Sequence, residues 1–570
     1  MSSLLQCHRL THAAGTKMLF KSLNISINDG DRIGLVGHNG SGKSTLLSIL
    51  SGSLVADDGD LSTSRHLHLE TVEQFISDSL NRLSLISALA IKLPTEDRQF
   101  KQYQAEQLLS ELGFSSHEFS YLVSDLSGGQ QNRLMFARAI INKPNLILFD
   151  EPTNHLDLKT LLFFEGFLNN QNASYIIISH DRQFLDAVTD RTLFLRDEKI
   201  YNFNLPYTLA KEKLDEEDAM AEERRKEEEK AIKDLSASAK RLALWGKVYD
   251  NEKLARKAKN MEKRIEKLEG NKTFVSKGSN LNLSLEVRTS RVNRMLHIEN
   301  QDILSPGNQP ICLFRIKEFF IRPGDRIALL GHNGTGKTTL IKQIIQHYNL
   351  DRESDIFKFN PQCDIGYYDQ EIDDLDLTAT LIEVLRQKCL NGTENEYKTA
   401  LIKAGFPFGD LDKKVSVLSG GEKARLMFLV IKLNRPNFLI LDEPTNHIDI
   451  QGKEELETQI LEANATVLIT SHDRRFVDNI AERYVLIQDG KLTEINDPQW
   501  FYDLKKPHVQ IAETKKIERE AIDSEEDILE RILELESLLA EDKQRKIKFQ
   551  KPKLQLAWDQ ELSQLNEKIS

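Results

Sequence analysis

A chain of 570 residues is too long for one hydrophobic core, so two or more domains are expected. Its longest apolar runs, "NLILF" and "SYIIIS", are strand-sized, far short of the roughly 18 residues that span a bilayer. A net charge of −12 argues against a general nucleic-acid binder. The four cysteines, Cys7, Cys312, Cys363 and Cys389, form no C-x-x-C pair, which argues against a zinc or iron–sulfur centre and for a reducing, cytoplasmic setting. The N-terminus has no basic start followed by an apolar block, so no secretory signal is expected.

In chain order, "DRIGLVG" predicts a short strand ending at Gly37, and "KSTLLSIL" a helix after it. Between them lies G-x-x-x-x-G-K-[ST], the P-loop pattern. Gly37, Gly40 and Gly42 let the backbone turn so that its N–H groups face phosphate oxygens. Asn39 lies in the same loop, and Thr45 follows in the first turn of the helix. The helix start adds a positive dipole end. Lys43 reaches the β and γ phosphates, and Ser44 is the candidate Mg²⁺ ligand. "LSGGQQNRLMFARAI" then opens a helix with Ser127, Gly128 and Gly129, a hydroxyl and two amides suited to an anion. "NLILFD" predicts a buried strand ending at Asp150, placed to hold Mg²⁺, and the next residue, Glu151, is placed to polarise the attacking water. "SYIIIS" predicts the next strand, and His180 follows it as a candidate γ-phosphate contact.

Every one of these features recurs. Leu126 and Leu418 begin "LSGG" motifs 292 positions apart, and Asp150 and Asp442, Glu151 and Glu443, and His180 and His472 keep the same offset. The second P-loop supplies Gly331, Asn333, Gly334, Gly336, Lys337, Thr338 and Thr339, and the second "LSGG" supplies Ser419, Gly420 and Gly421. The chain therefore contains a duplicated α/β domain with a parallel sheet flanked by helices. Each copy carries two phosphate-binding elements. One cradles its own nucleotide, and the other is free to meet the nucleotide of the opposite copy.

Between the copies the composition changes. From Pro206 to about Leu268 the sequence is rich in Glu, Lys, Ala, Leu and Arg, with no Gly or Pro between Pro206 and Gly246. Leu214, Met220, Ile232 and Leu235 on the first half, and Leu254, Met261, Ile265 and Leu268 on the second, predict two antiparallel helices with a tip near 240–250. About thirty residues of helix would project roughly 45 Å. From Lys240 to Lys277 there are twelve Lys or Arg against five Asp or Glu, with Lys240, Arg241, Trp245 and Lys247 at the tip. Basic residues beside an aromatic suit contact with phosphate and base. A second helical hairpin is expected after Lys506, from Ile528, Ile532, Leu535 and Leu539 returning through Leu554, Trp558, Leu562, Leu565 and Ile569.

The paired motifs resemble those of the ATP-binding cassette ATPases, and the charged arm between them resembles the linker of the ABC-F branch, whose twin cassettes bind the ribosome. That resemblance implies a head-to-tail sandwich within one monomer. One ATP would lie between Lys43 with Glu151 and the segment Ser419, Gly420, Gly421. The other would lie between Lys337 with Glu443 and the segment Ser127, Gly128, Gly129. It also implies metal-ligating Q-loop glutamines, Gln74 in "ETVEQF" and Gln370 in "GYYDQE", and an arm reaching from the tRNA exit site towards the peptidyl-tRNA. No tyrosine suited to stack on adenine precedes either P-loop. The expected order is cassette 1 over 1–204, linker arm over 205–283, cassette 2 over 284–505 and C-terminal extension over 506–570. The alternative is the energy subunit of an ABC transporter that works with a separate membrane protein.

Overall fold

The computed structural model describes residues 2–15, 17–72, 78–93, 102–126, 128–153, 156, 158–171, 173–248, 252–270, 293–306, 310–350, 356–369, 375–389, 392–446 and 448–502, with twelve further residues between 532 and 563. Cassette 1 contains β1 (Ser3–Ala14), β2 (Lys17–Asn28), β3 (Arg32–Val36), β4 (Asp58–Thr63), β5 (Leu69–Val72), β6 (Leu146–Asp150), β7 (Ser174–Ile178), β8 (Arg191–Arg196) and β9 (Lys199–Phe203). Cassette 2 repeats the set as β10 (Leu296–Leu304), β11 (Cys312–Ile321), β12 (Arg326–Leu330), β13 (Phe357–Phe359), β14 (Ile365–Tyr368), β15 (Phe438–Asp442), β16 (Thr466–Thr470), β17 (Arg483–Gln488) and β18 (Lys491–Ile495).

The heart of each cassette is a parallel sheet, in the order β5-β6-β7-β3-β8 in the first and β14-β15-β16-β12-β17 in the second, with an antiparallel strand, β9 or β18, at one edge. Such strands are covered on both faces and read as nearly continuous apolar runs. Alternate residues serve opposite faces. Ile147, Phe149, Tyr175 and Ile177 join one core, while Leu146, Leu148, Ile176 and Ile178 join the other. Cassette 2 divides in the same way, with Leu439, Leu441, Val467 and Ile469 on one face and Phe438, Ile440 and Leu468 on the other.

The antiparallel layer is attached differently in the two copies. In cassette 2, β13-β10-β11 joins the main sheet through β18 to give nine strands. In cassette 1, β2-β1-β4 stands as its own three-stranded sheet beside six strands, and Lys21 N donates to Glu198 O across the gap at 3.0 Å.

The arm is longer than the sequence suggested. Its outgoing helix, Tyr207–Val248, runs 42 residues, about 63 Å at 1.5 Å per residue, and a returning helix, Glu252–Gly270, packs back along it. The outgoing helix continues through Gly246 to Val248, towards the far end of the 240–250 stretch where the tip was expected. It is rooted on cassette 1. Tyr207, Ala210 and Leu214 are buried in that domain's core, and Arg196 pairs with Asp218. Farther out, Ile232 and Ala239 are buried, whereas Met220 is exposed. In the C-terminal segment, Ile532, Leu535 and Leu539 pack with Leu562 and Trp558, so two helical stretches meet there. Ile528, Leu554, Leu565 and Ile569 lie outside the described residues. Among the described residues no helix is long and apolar enough to cross a membrane.

Candidate active site

Ligands of open parallel sheets bind beyond the carboxyl ends of the strands. In each cassette three such ends converge. The P-loop follows β3 or β12, Asp150 or Asp442 closes β6 or β15, and His180 or His472 follows β7 or β16. The two P-loops have the same internal geometry. Gly42 and Gly336, each at φ 99°, open helices Lys43–Leu50 and Lys337–Leu350, in a left-handed conformation that a side chain would strain. Lys43 Nζ donates to the carbonyls of Gly37 and His38 at 2.8 and 3.2 Å, and Lys337 Nζ to those of Gly331 and His332 at the same distances. Burial pulls the Lys43 ammonium below its usual value, although Glu151, Asp449 and Asp150 oppose that.

The carboxylates follow the same plan. Asp150 is hydrogen-bonded with the Ser44 side chain, and Asp442 with those of Thr470 and Thr338. Burial raises both aspartates above the ordinary carboxylate range against these hydrogen bonds. Glu151 and Glu443 sit at φ 50° and 48°, a region non-glycine residues seldom adopt. Each is held there by a backbone bond to the neighbouring strand, Glu151 N to Ile178 O and Glu443 N to Thr470 O, both 3.0 Å. His180 Nε2 lies 3.1 Å from Glu151 Oε1, and His472 Nε2 3.5 Å from Glu443 Oε1. Burial lowers the His180 imidazole below its usual value, although its hydrogen bond with Glu151 opposes that.

A cavity of about 550 Å³ opens on the second P-loop. Its wall includes Asn333, Gly334, Gly336, Lys337, Thr338, Thr339, Asp442, Glu443 and His472 of cassette 2. Across from them stand Glu151, Thr153, Leu156, His180 and Asp181 of cassette 1. Ser305, Pro306 and Leu313, which precede the second P-loop in the chain, line it as well. The site therefore lies between the cassettes.

The sandwich the resemblance implied would bring the segment of Gly128 and Gly129, not that of Ser419, to this cavity. Gly128, Gly129, Ser419, Gly420 and Gly421 do not line this cavity. Ser419 caps its own helix, Gly420–Asn434, and Glu422 closes the box by accepting from Ser419 N at 2.9 Å and Oγ at 2.7 Å. Gly128 and Gly129 begin the corresponding helix, Gly128–Ile140. Ser127, Gln74 and Gln370 lie outside the described residues.

The contacts that join the cassettes come from residues next to these motifs. Asp449, cap of helix Ile450–Glu462, accepts from Asn39 N of the first P-loop at 2.9 Å. Arg182, one residue beyond the His-Asp pair, is buried against Glu457, and its repeat Arg474 meets Glu165. The Asp-Arg pair that follows each histidine, Asp181-Arg182 and Asp473-Arg474, was not among the candidate site residues. The signal was Glu165 and Glu457, also 292 apart.

The ABC transporter family model matches residues 20–154 and 315–446, one stretch in each cassette. Putative ATP-binding protein YdiF of Bacillus subtilis (strain 168) is 30% identical over 576 residues, covering 92% of this chain and 85% of that protein. ABC transporter F family member 5 of Arabidopsis thaliana is 30% identical over 552 residues, covering 88% of this chain and 77% of that one. The chain belongs to the ABC-F family. As an ABC-F protein it binds ATP and hydrolyses it to ADP and phosphate. Among solved structures, the archaeal ribosome recycling factor aABCE1 in complex with stalk protein aP1 has a TM-score of 0.55 at 19% identity, covering 85% of this chain and 89% of that one. The structure titled RNase-L Inhibitor also gives 0.55, at 20% identity, covering 86% and 91%. At that identity they show that ABC-F and these proteins share a fold.

Proposed function

We propose that this ABC-F ATPase binds the ribosome at the tRNA exit site and reaches with its linker arm towards the peptidyl-tRNA. There it modulates translation or relieves stalling, including stalling imposed by an antibiotic. The observation that carries this reading is the arm. A helix of 42 residues between two ATPase domains ends with Trp245 52% exposed and Lys240, Arg241 and Lys247 exposed around it. A solvated spacer needs no exposed aromatic at its end, whereas rRNA and tRNA offer phosphates to the cations and bases to the ring. The ribosome recycling factor lends this reading only its fold.

In the active sites, the P-loop amides with Lys43 or Lys337 would cradle the ATP phosphates. Glu151 or Glu443 would orient the water, and His180 or His472 would contact the γ-phosphate. The pairs Ser44 with Asp150 and Thr338 with Asp442, completed by Gln74 and Gln370, would hold Mg²⁺. An all-oxygen donor set suits that ion, and Asp442 Oδ2 is buried without a hydrogen-bond partner among the described residues. Mg²⁺, when bound, would neutralise phosphate charge. ATP binding would draw Ser419, Gly420 and Gly421 towards the first P-loop and Ser127, Gly128 and Gly129 towards the second. That closure favours the ribosome-bound form, and hydrolysis reopens the clamp.

The test is the double variant Glu151→Gln, Glu443→Gln, which should bind ATP with hydrolysis reduced by about 10²-fold or more. ATP-dependent co-sedimentation of this variant with 70S ribosomes is the expected result. Absence from ribosomes and recovery in the membrane fraction would instead indicate a transporter subunit.

A further inference from the structure

The two cassettes meet through contacts related by the repeat, but several positions break the relation, Lys453 among them. Arg182 with Glu457 mirrors Arg474 with Glu165. Asp181 and Asp473 mirror each other as caps, accepting from Phe184 N and Phe476 N at 2.9 and 3.0 Å. On the two helices that cross the interface, however, Lys453 in Ile450–Glu462 corresponds to Leu161 in Leu158–Asn169, 292 positions earlier. Lys453 is 5% exposed. Its Nζ donates to Asp473 Oδ2 at 2.9 Å and to the carbonyl oxygen of His180, in the other cassette, also at 2.9 Å. Leu161 has no ammonium to offer Asp181 or the carbonyl of His472, and it lines the cavity as an apolar wall.

We propose that Lys453 is a positioning residue acting from the opposite cassette: it holds the main chain at His180 and so aims that imidazole in the site of Lys43 and Glu151. Among the described residues, the site of Lys337 and Glu443 has no such lysine from the opposite cassette. Its His472 main chain is held instead by its own cassette, through His472 N donating to Glu443 Oε2 at 3.2 Å, and the two ATP sites are therefore inequivalent. The inference rests on the reading of Glu151, Glu443 and the two histidines given above. The physical case is one of anchoring. Asp473, with Arg182 also near it, fixes a desolvated ammonium, which leaves a donor for the His180 peptide. Lys453 and Asp473 are both buried, and against the cost of burial Lys453 and Arg182 hold the Asp473 carboxyl well below its usual value. The imidazole on that peptide lies 3.1 Å from Glu151, so a shift of the peptide shifts the donor against the catalytic carboxylate. The same helix also grips the first P-loop, through Asp449 on Asn39 N. Helix Ile450–Glu462 thus touches the first site at two points, its P-loop and its histidine. Small misplacements near reacting groups cost large factors in rate.

The experiment uses the full chain and single-turnover ATP hydrolysis. Glu443→Gln leaves the first site to report, and Glu151→Gln the second. In the Glu443→Gln background, Lys453→Leu is expected to lower the maximal rate about tenfold, with the half-saturating ATP concentration changed by less than about threefold. Lys453→Arg should restore most of that loss. In the Glu151→Gln background the loss should be at least about fivefold smaller. Equal losses at the two sites, or no loss at the first, would overturn the proposal. Should Lys453→Leu fail to fold, Leu161→Lys decides alone. It places an ammonium beside Asp181 and should move the ratio of the two site rates towards one, and an unchanged ratio would overturn the proposal. If the double glutamine variant still hydrolyses ATP, the assignment of the glutamates has failed, and that outcome is distinct from failure of the lysine's role.

Discussion

At Gly37 there is no room for a side chain. A Cβ built there would lie 2.4 Å from the carbonyl oxygen of Leu195 and 2.8 Å from Ser41 Oγ. The first of these is main chain in β8 and cannot rotate away. Gly37→Ala should therefore overpack the loop at a cost of about 1–3 kcal/mol. The expected outcome is a lower unfolding temperature by differential scanning calorimetry and weaker ATP binding in the Glu443→Gln background. The glutamates pose the opposite case. Their positive φ is imposed by backbone bonds to the next strand, and those bonds survive a change of carboxylate to carboxamide. Glu151→Gln and Glu443→Gln should accordingly leave the unfolding temperature nearly unchanged while stopping hydrolysis. The sequence announced the residue types at these positions. It could not announce the strained backbone at Glu151, because the strain comes from Ile178, a residue on another strand.

The arm is legible in the sequence as an element, since its composition excludes turns and its apolar residues recur at helical spacing. Its reach exceeds the roughly thirty residues expected, because the outgoing helix runs on through Gly246 to Val248. A single glycine costs a helix only about 1 kcal/mol, which the rest of a long helix can offset. Leu214 was correctly read as an inward residue, although it packs on cassette 1 rather than on the returning helix. Met220 was read as inward and is 57% exposed, because the helix there has left the domain that could cover it. Trp245→Ala combined with neutralisation of Lys240 and Arg241 should keep ATPase activity and lose ATP-dependent ribosome binding. The remaining binding should also depend less steeply on salt, because fewer phosphate contacts release fewer counterions. Sedimentation at two salt concentrations checks both points, and wild-type behaviour would remove the tip from the proposal.

The whole molecule is held by charges that no single cassette explains. Arg182 is 1% exposed and Glu457 0%, and Asn479 Nδ2 also donates to Glu457 at 3.0 Å. Arg182→Ala would strand that carboxylate in the interface at a cost of about 3–5 kcal/mol, whereas replacing both partners by methionine should recover much of the loss. Thermal denaturation of the two variants measures the difference. If Arg182→Ala unfolds like the parent, the pair does not hold the cassettes together. Such couplings join residues 275 positions apart.

What the sequence by itself determined was the local chemistry. Two P-loops, two Asp-Glu pairs and two histidines at a fixed offset specify duplicated nucleotide sites, because phosphate binding needs particular residue types at short, fixed spacings. What only the tertiary structure decided was which parts of the two copies face one another. It put Glu151 and His180 across a cavity from Lys337, kept the signature glycines away from its wall, and gave Lys453 but not Leu161 a carbonyl to hold. The repeat makes the two cassettes look interchangeable along the chain. A heterologous pair of surfaces is fixed only when the folded domains pack, so the difference between a lysine and a leucine acquires meaning from what lies opposite.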